Sequence, residues 1–207
     1  GLHMFIAADE THMLVHFGGN LYRWDGEHSD LIYEGMNDQS RSMSMSFKDA
    51  LWIVDGKAFV RYDGDGVAPA SEDAYIPTTV ISRNPSGGGE TYDAINMLSP
   101  ARINSFLSDG TSKAYQLDAS ELDDDEVIVM IGTDVKTEGT DFTVNRETGV
   151  VTFTTAPPSP AVTGQDNVYI TFYKTVEGYA DRVNKCRIMT IYGRGNDNRI
   201  FLAGNPD

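Results

Sequence analysis

"MLVHFGGNLYRWDG", residues 13–26, aligns without a gap on "LWIVDGKAFVRYDG", residues 51–64, at an offset of 51 − 13 = 38 residues. Leu21 falls on Phe59, Arg23 on Arg61, Trp24 on Tyr62, and the closing Asp-Gly pair on itself. Each segment reads as two short apolar strands around a tight turn. Gly-Gly-Asn and Asp-Gly supply that turn, because these residues tolerate the positive φ that hairpins need. A repeat near 40 residues with about four strands in each unit is the signature of propeller blades.

The flanking sequence keeps the same rhythm. "LHMFIA" and a polar "ADET" turn precede the first segment, and "LIY", "SMSMSF" and a "KDA" turn lie between the two. Strict alternation in "SMSMSF" places Met43, Met45 and Phe47 on one face and the serines on the other; the methionines read as core filling. Near the end, "RIMTIY", "GRGNDN" and "RIFLA" form another strand, turn and strand. Two or three such units cannot close a ring, which takes four to eight blades. The chain therefore reads as a piece of a longer protein, or as one whose sheet edges are covered by neighbouring copies.

A segment of different character interrupts the repeat. "NPSGGG" and its surroundings are rich in Pro, Gly, Ser and Asn, and lead into "KAYQL", "VIVMIG", "DFTVN", "VVTFTT" and "NVYITFYK". These are at least five strands with strong β-branched and aromatic content. In "DFTVNRETGVVTFTTAPP" (141–158), Phe142 and Val144 share a face before the turn, and Val151 and Phe153 do so after it. Gly149 takes the left-handed position of the loop, Thr148 hydrogen-bonds into the turn, and Pro157 and Pro158 end the strand. The expected fold is all-β. A partial propeller-like antiparallel meander fills 1–89, a small β-sandwich is inserted at 90–175, and residues 176–207 return to the meander. Helix is confined to a short turn around "DAINML", where Pro100 blocks extension.

Composition narrows the function. Sixteen basic against thirty-one acidic residues give a net charge of −15, which repels phosphate, so no direct nucleic-acid binding is expected. No run of about 18 apolar residues is present, so no membrane-spanning segment is expected. One cysteine, Cys186, allows no internal disulfide and reads as a small buried hydrophobe.

Chemistry-bearing motifs are sparse. His12 and His16 share a strand face but stand about 13 Å apart by strand rise, too far to ligate one zinc ion, and His3 and His28 could join them only through the fold. "DDDE" (Asp123 to Glu126) and "DGDG" (Asp63 to Gly66) offer oxygen ligands without the alternating spacing of an EF-hand, and read as solvated loops. No G-x-S-x-G elbow occurs, no carboxylate pair is singled out, and "GGG" at 87–89 lacks the Lys-Ser/Thr of a phosphate loop. No catalytic, cofactor-binding or metal residue is assigned, and no enzyme is expected. Trp24, Trp52, Tyr62, Tyr33 and Tyr92 could line a sugar-binding face. The equivalence of Trp24 and Tyr62 in the repeat argues instead for a shared packing role.

The run "FLSDGTSKAYQLD", then "VIVMIGTDVKTEGTDFTVNRETGVVTFTTAPP" and "DNVYITFYK", resembles a module of bacteriophage and prophage structural proteins. The repeats around "LYRWDG" and "FVRYDG", with the closing "CRIMTIYGRGNDNRIFLAGNPD", resemble propeller-like virion proteins that carry such an insertion. The resemblance implies a non-catalytic virion component at the tail or the head–tail junction. It would be found in the particle and, during assembly, in the host cytoplasm. The implied partners are other virion subunits and copies of itself. The alternative reading is a glycan-binding β module on a phage tail or a secreted bacterial protein.

Overall fold

Met13 stands opposite Trp24 and His16 opposite Leu21 in one hairpin, as Leu51 stands opposite Tyr62 and Val54 opposite Phe59 in the other. The gapless alignment is therefore also an alignment of pairing register. These relations come from a computed structural model, which describes residues 1–7, 10–193 and 199–207. The "ADET" and "GRGNDN" turns lie partly or wholly outside the described residues.

The two repeats build two antiparallel meanders. The first sheet runs in the order β1 (Leu2–Ile6), β2 (Thr11–Phe17), β3 (Asn20–Trp24), β4 (Ser29–Glu34). The second runs β5 (Met43–Phe47), β6 (Ala50–Val54), β7 (Phe59–Tyr62), β8 (Val67–Pro69). Sequential four-stranded meanders are the topology of propeller blades. Phe5, Leu14, Leu21 and Met36 from the first repeat pack on Leu51, Ile53, Val60 and Tyr62 from the second. Burying each such side chain contributes roughly 1.5–3 kcal/mol.

Asp-Gly punctuation works by one device. The carboxylate of Asp25 accepts the backbone N–H groups of Glu27 and His28, that of Asp55 those of Lys57 and Ala58, and that of Asp63 those of Asp65 and Gly66. Asp109 does the same for Thr111 and Ser112. The glycine after each aspartate takes the positive φ that closes the loop.

A pair of strands, β18 (Ile188–Tyr192) and β19 (Arg199–Ala203), forms a third sheet beside the second. Met189 is buried, and its N–H points at the sulfur of Met43. The N–H of Gly56 donates to the Cys186 carbonyl, which ties the segment entering β18 to the β6–β7 turn. The face of Met43, Met45 and Phe47 is thus only partly covered, with Met43 38% exposed. Core filling overstated it. The serine face, expected to point away, is the one turned toward the first sheet.

Residues 75–176 form a unit of their own; residues 1–74 and 177–207 form the other. In the second unit, a six-stranded sheet has the order β10 (Glu90–Thr91), β9 (Thr78–Arg83), β11 (Ala101–Phe106), β17 (Val168–Tyr173), β13 (Ile128–Ile131), β14 (Asp134–Lys136). It faces a three-stranded sheet in the order β12 (Ala114–Gln116), β16 (Val150–Phe153), β15 (Phe142–Asn145). Phe106, Tyr115, Val129, Phe142, Phe153 and Phe172 fill the space between them.

This unit begins at Tyr75, earlier than the expected residue 90, because β9 pairs in parallel with β11. The buried Asn104 fixes that pairing: its amide donates to Thr79 Oγ1, which in turn donates to Asp118. In the hairpin of 141–158, Phe142 pairs with Phe153 and Val144 with Val151. Gly149 adopts φ 70°.

"DAINML" is not helical. The Asp93 carboxylate instead accepts the Tyr75 hydroxyl and the Thr78 N–H, and Asn96 turns its side chain onto the Leu98 N–H. The single helix among the described residues, α1 (Tyr179–Asn184), follows Gly178 and buries no side chain.

Candidate functional site

The cross-strand register sorts the first sheet into two unlike faces. His3, Phe5, Leu14, His16 and Leu21 point toward the second sheet and are buried. Leu2, Met4 and Ile6 of β1 share the opposite face with Met13, Val15 and Phe17 of β2. Tyr22 and Trp24 of β3 and Leu31 of β4 continue it. Leu2 is 74% exposed, Met4 52%, Ile6 68% and Phe17 76%. Isolated apolar residues on a surface mean little, but these residues form one contiguous apolar face. Part of it dips into an open recess of about 420 Å³ lined by Val15, Phe17, Tyr22, Trp24 and Ser29.

The third sheet carries a smaller version. Ile188 and Tyr192 of β18 lie on the same face as Phe201 of β19, and all three are exposed. The Tyr192 and Phe201 rings meet edge to face at 6.0 Å.

His12 and His16 share one face of β2, as expected, and the fold brings His3 to His16. His16 joins His3, not His12, through the hydroxyl of Ser42: Ser42 Oγ lies 2.7 Å from His3 Nε2 and 2.8 Å from His16 Nδ1. His3 Nδ1 lies 2.8 Å from Ser44 Oγ, and His16 Nε2 lies 2.8 Å from the Gly18 carbonyl. A carbonyl only accepts, so in the neutral rings the protons run one way: Ser44 to His3, His3 to Ser42, Ser42 to His16, His16 to Gly18. Burial, with smaller contributions from the N-terminal ammonium and His16, pushes the His3 pKa down to about 4. Every ring nitrogen is committed, so the cluster acts as a polar pin between the first two sheets. His12 instead contacts Tyr62 and Glu10, and His28 lies 3.9 Å from Asp25. Among the described residues, no three His, Cys, Asp or Glu side chains converge as a metal site.

The other motifs resolve into local structure. Asp123 accepts the N–H and hydroxyl of Thr175, and Asp63 closes its turn. "GGG" at 87–89 folds over Arg83, whose guanidinium donates to the carbonyls of Gly88, Gln116 and Leu117. The Cys186 thiol is buried, contacts the Arg182 carbonyl, and has its pKa raised by that burial.

The five aromatics do not form one surface. Tyr62 is buried between the first two sheets, and Trp52 lies on the other face of its sheet against Phe59. Tyr33 is half-buried, and Tyr92 belongs to the second unit. Trp24 and Tyr62 hold equivalent positions, yet Trp24 is 40% exposed and Tyr62 1%. The shared packing role therefore holds in register but not in burial.

In the second unit, an open recess of about 510 Å³ is lined by Asp134, Pro158, Gln165, Asp166, Asn167 and Tyr169. One Asp166 oxygen accepts the Ser82 N–H and the Ser105 hydroxyl, and Ser82 adopts φ 52°. This places a carboxylate and a hydroxyl together without an imidazole.

The class these features define is an all-β protein of blade-like meanders with an inserted sandwich-like unit and an apolar sheet face exposed among the described residues. No family model, curated protein or solved structure significantly matches the chain. No helix among the described residues is long and apolar enough to cross a membrane.

Proposed function

We propose that this chain is a non-catalytic structural component of a bacteriophage or prophage particle, at the tail or the head–tail junction. It acts by protein–protein assembly, in the virion and, before that, in the host cytoplasm. The observation that carries the reading is the apolar face of the first sheet, where Leu2, Met4, Ile6 and Phe17 stand open to solvent. Such a face gains stability only when another subunit covers it. The net charge of −15 keeps the remaining surface from adhering to nucleic acid packaged nearby. Mass spectrometry of density-purified particles from an induced lysogen tests the reading. Stoichiometric recovery with capsid and tail proteins is expected, and absence from intact particles contradicts it.

One observation favours a second reading. Phe17, Tyr22 and Trp24 flank Ser29 around the recess on the same face, and a sugar ring could stack there. A glycan array would then give a hit that salt does not weaken and Trp24→Ala removes.

A further inference from the structure

The open face of the first sheet has a counterpart whose use is visible in the molecule. Under the 38-residue offset, Met13 corresponds to Leu51, Val15 to Ile53, Tyr22 to Val60 and Trp24 to Tyr62. The four residues of the second sheet are all buried against the first. Because the pairing register is the same in both sheets, the four residues of the first sheet form the same surface in the same place, and no sheet among the described residues lies on it.

What lies on such a surface is also visible. The first sheet covers the second with its Leu14 face, and the second meets the third across Met43 and Met189. Each sheet thus presents one face backward and one forward. Met189 marks the backward face of the third sheet, so Ile188, Tyr192 and Phe201 lie on its forward face beside Thr190 and Arg199, and all three apolar side chains are exposed. The two uncovered faces are therefore opposite members of one kind of joint.

We propose that a second copy of this chain lays the Ile188–Tyr192–Phe201 face of its third sheet on the Leu2–Met4–Ile6 face of the first sheet. The joint would repeat between molecules the stacking that already occurs within one. It is heterologous, head to tail, so it generates a ring or an open stack instead of a closed two-fold dimer. The inference rests on the assembly reading above and adds the partner and the two surfaces.

Sedimentation velocity across a hundredfold concentration range tests it. The weight-average mass of the wild-type chain should rise above the 22.7 kDa of one copy. Met4→Asp and Ile188→Asp, both at exposed positions, should each weaken self-association at least tenfold with an unchanged circular dichroism spectrum. Mixing the two variants should restore a species of two copies and nothing larger, because each supplies one intact face. A wild-type chain that stays at one copy overturns the inference. So does association that survives Ile188→Asp, which would indicate a joint between two like faces, or a mixture that stays monomeric. A monomeric chain that is nevertheless recovered in purified particles overturns this inference alone and leaves the assembly reading standing.

Discussion

Ser42 and His3 are bound across the joint between the first two sheets, with Ser42 Oγ 2.7 Å from His3 Nε2. The serine reaches the first sheet from the connection before β5, so two neighbouring repeats are pinned by a polar contact as well as by their shared apolar core. Both His3 and His16 are buried, which makes the pin sensitive to charge.

Acid should weaken this joint. His3 titrates at about 4 in the folded chain against an ordinary 6.5, so between those values the unfolded chain binds more protons. Its contribution is complete above pH 6.5 and is lost as pH falls toward 4. At 1.36 kcal/mol for each pH unit, the loss is roughly 3 kcal/mol. Urea denaturation at pH 7 and pH 4 should show a larger drop for wild type than for His3→Gln. Equal drops would place the acid sensitivity elsewhere.

Asp55 should matter more than its relatives in the other turns. It is fully buried, and its carboxylate accepts a third N–H, from Asn37, besides those of Lys57 and Ala58. Asp55→Ala strands these donors and should cost about 3 kcal/mol. Asp25→Ala removes the same device at the surface and should cost less. Chemical denaturation of the two variants checks the order.

Gly149→Ala should be among the most damaging single changes in the second unit. An added Cβ would lie 1.9 Å from the Ala119 carbonyl oxygen, at a backbone φ of +70°. The clash and the strain together should cost roughly 2–4 kcal/mol. Gly139 has a similar φ, +83°, but nothing within 4 Å of the added atom, so Gly139→Ala should cost only about 1 kcal/mol. Similar losses for both would mean that Ala119 moves aside.

Arg83→Lys should fail to substitute for Arg83. Three backbone carbonyls receive its guanidinium, and the Phe106 ring lies 6.0 Å from the guanidinium carbon. An ammonium cannot span that fork. A loss of roughly 2–3 kcal/mol is expected from thermal denaturation; a near-neutral effect would show that the carbonyls find other donors.

The parts of the fold that depend on local chemistry were legible in the sequence. Asp-Gly pairs set the turns, and the alternation of Phe142, Val144, Val151 and Phe153 fixed which residues face the sandwich core. What escaped depends on distant partners. The parallel pairing of β9 with β11 is set by Thr79, Asn104 and Asp118, and nothing near residue 80 announces it. The helix at 179–184 carries no apolar stripe because it buries nothing. His3 and His16 share no sequence neighbourhood, and only the β1–β2 pairing brings them onto one face. The serines of "SMSMSF" carry the available signal, but methionine in an alternating strand ordinarily marks the buried side. Trp24 reads as core because its repeat mate Tyr62 is core, yet no sheet among the described residues covers it.

The claim that the first sheet carries an unfinished joint is tested most directly by hydroxyl-radical footprinting as a function of protein concentration. Met4, Tyr192 and Met130 are all exposed in the single chain, and Met130 lies in the second unit, so it serves as the reference. Labelling of Met4 and Tyr192 should fall together as concentration rises while Met130 stays constant. If all three residues label in fixed proportion at every concentration, no sheet has come to cover that face, and the account is contradicted.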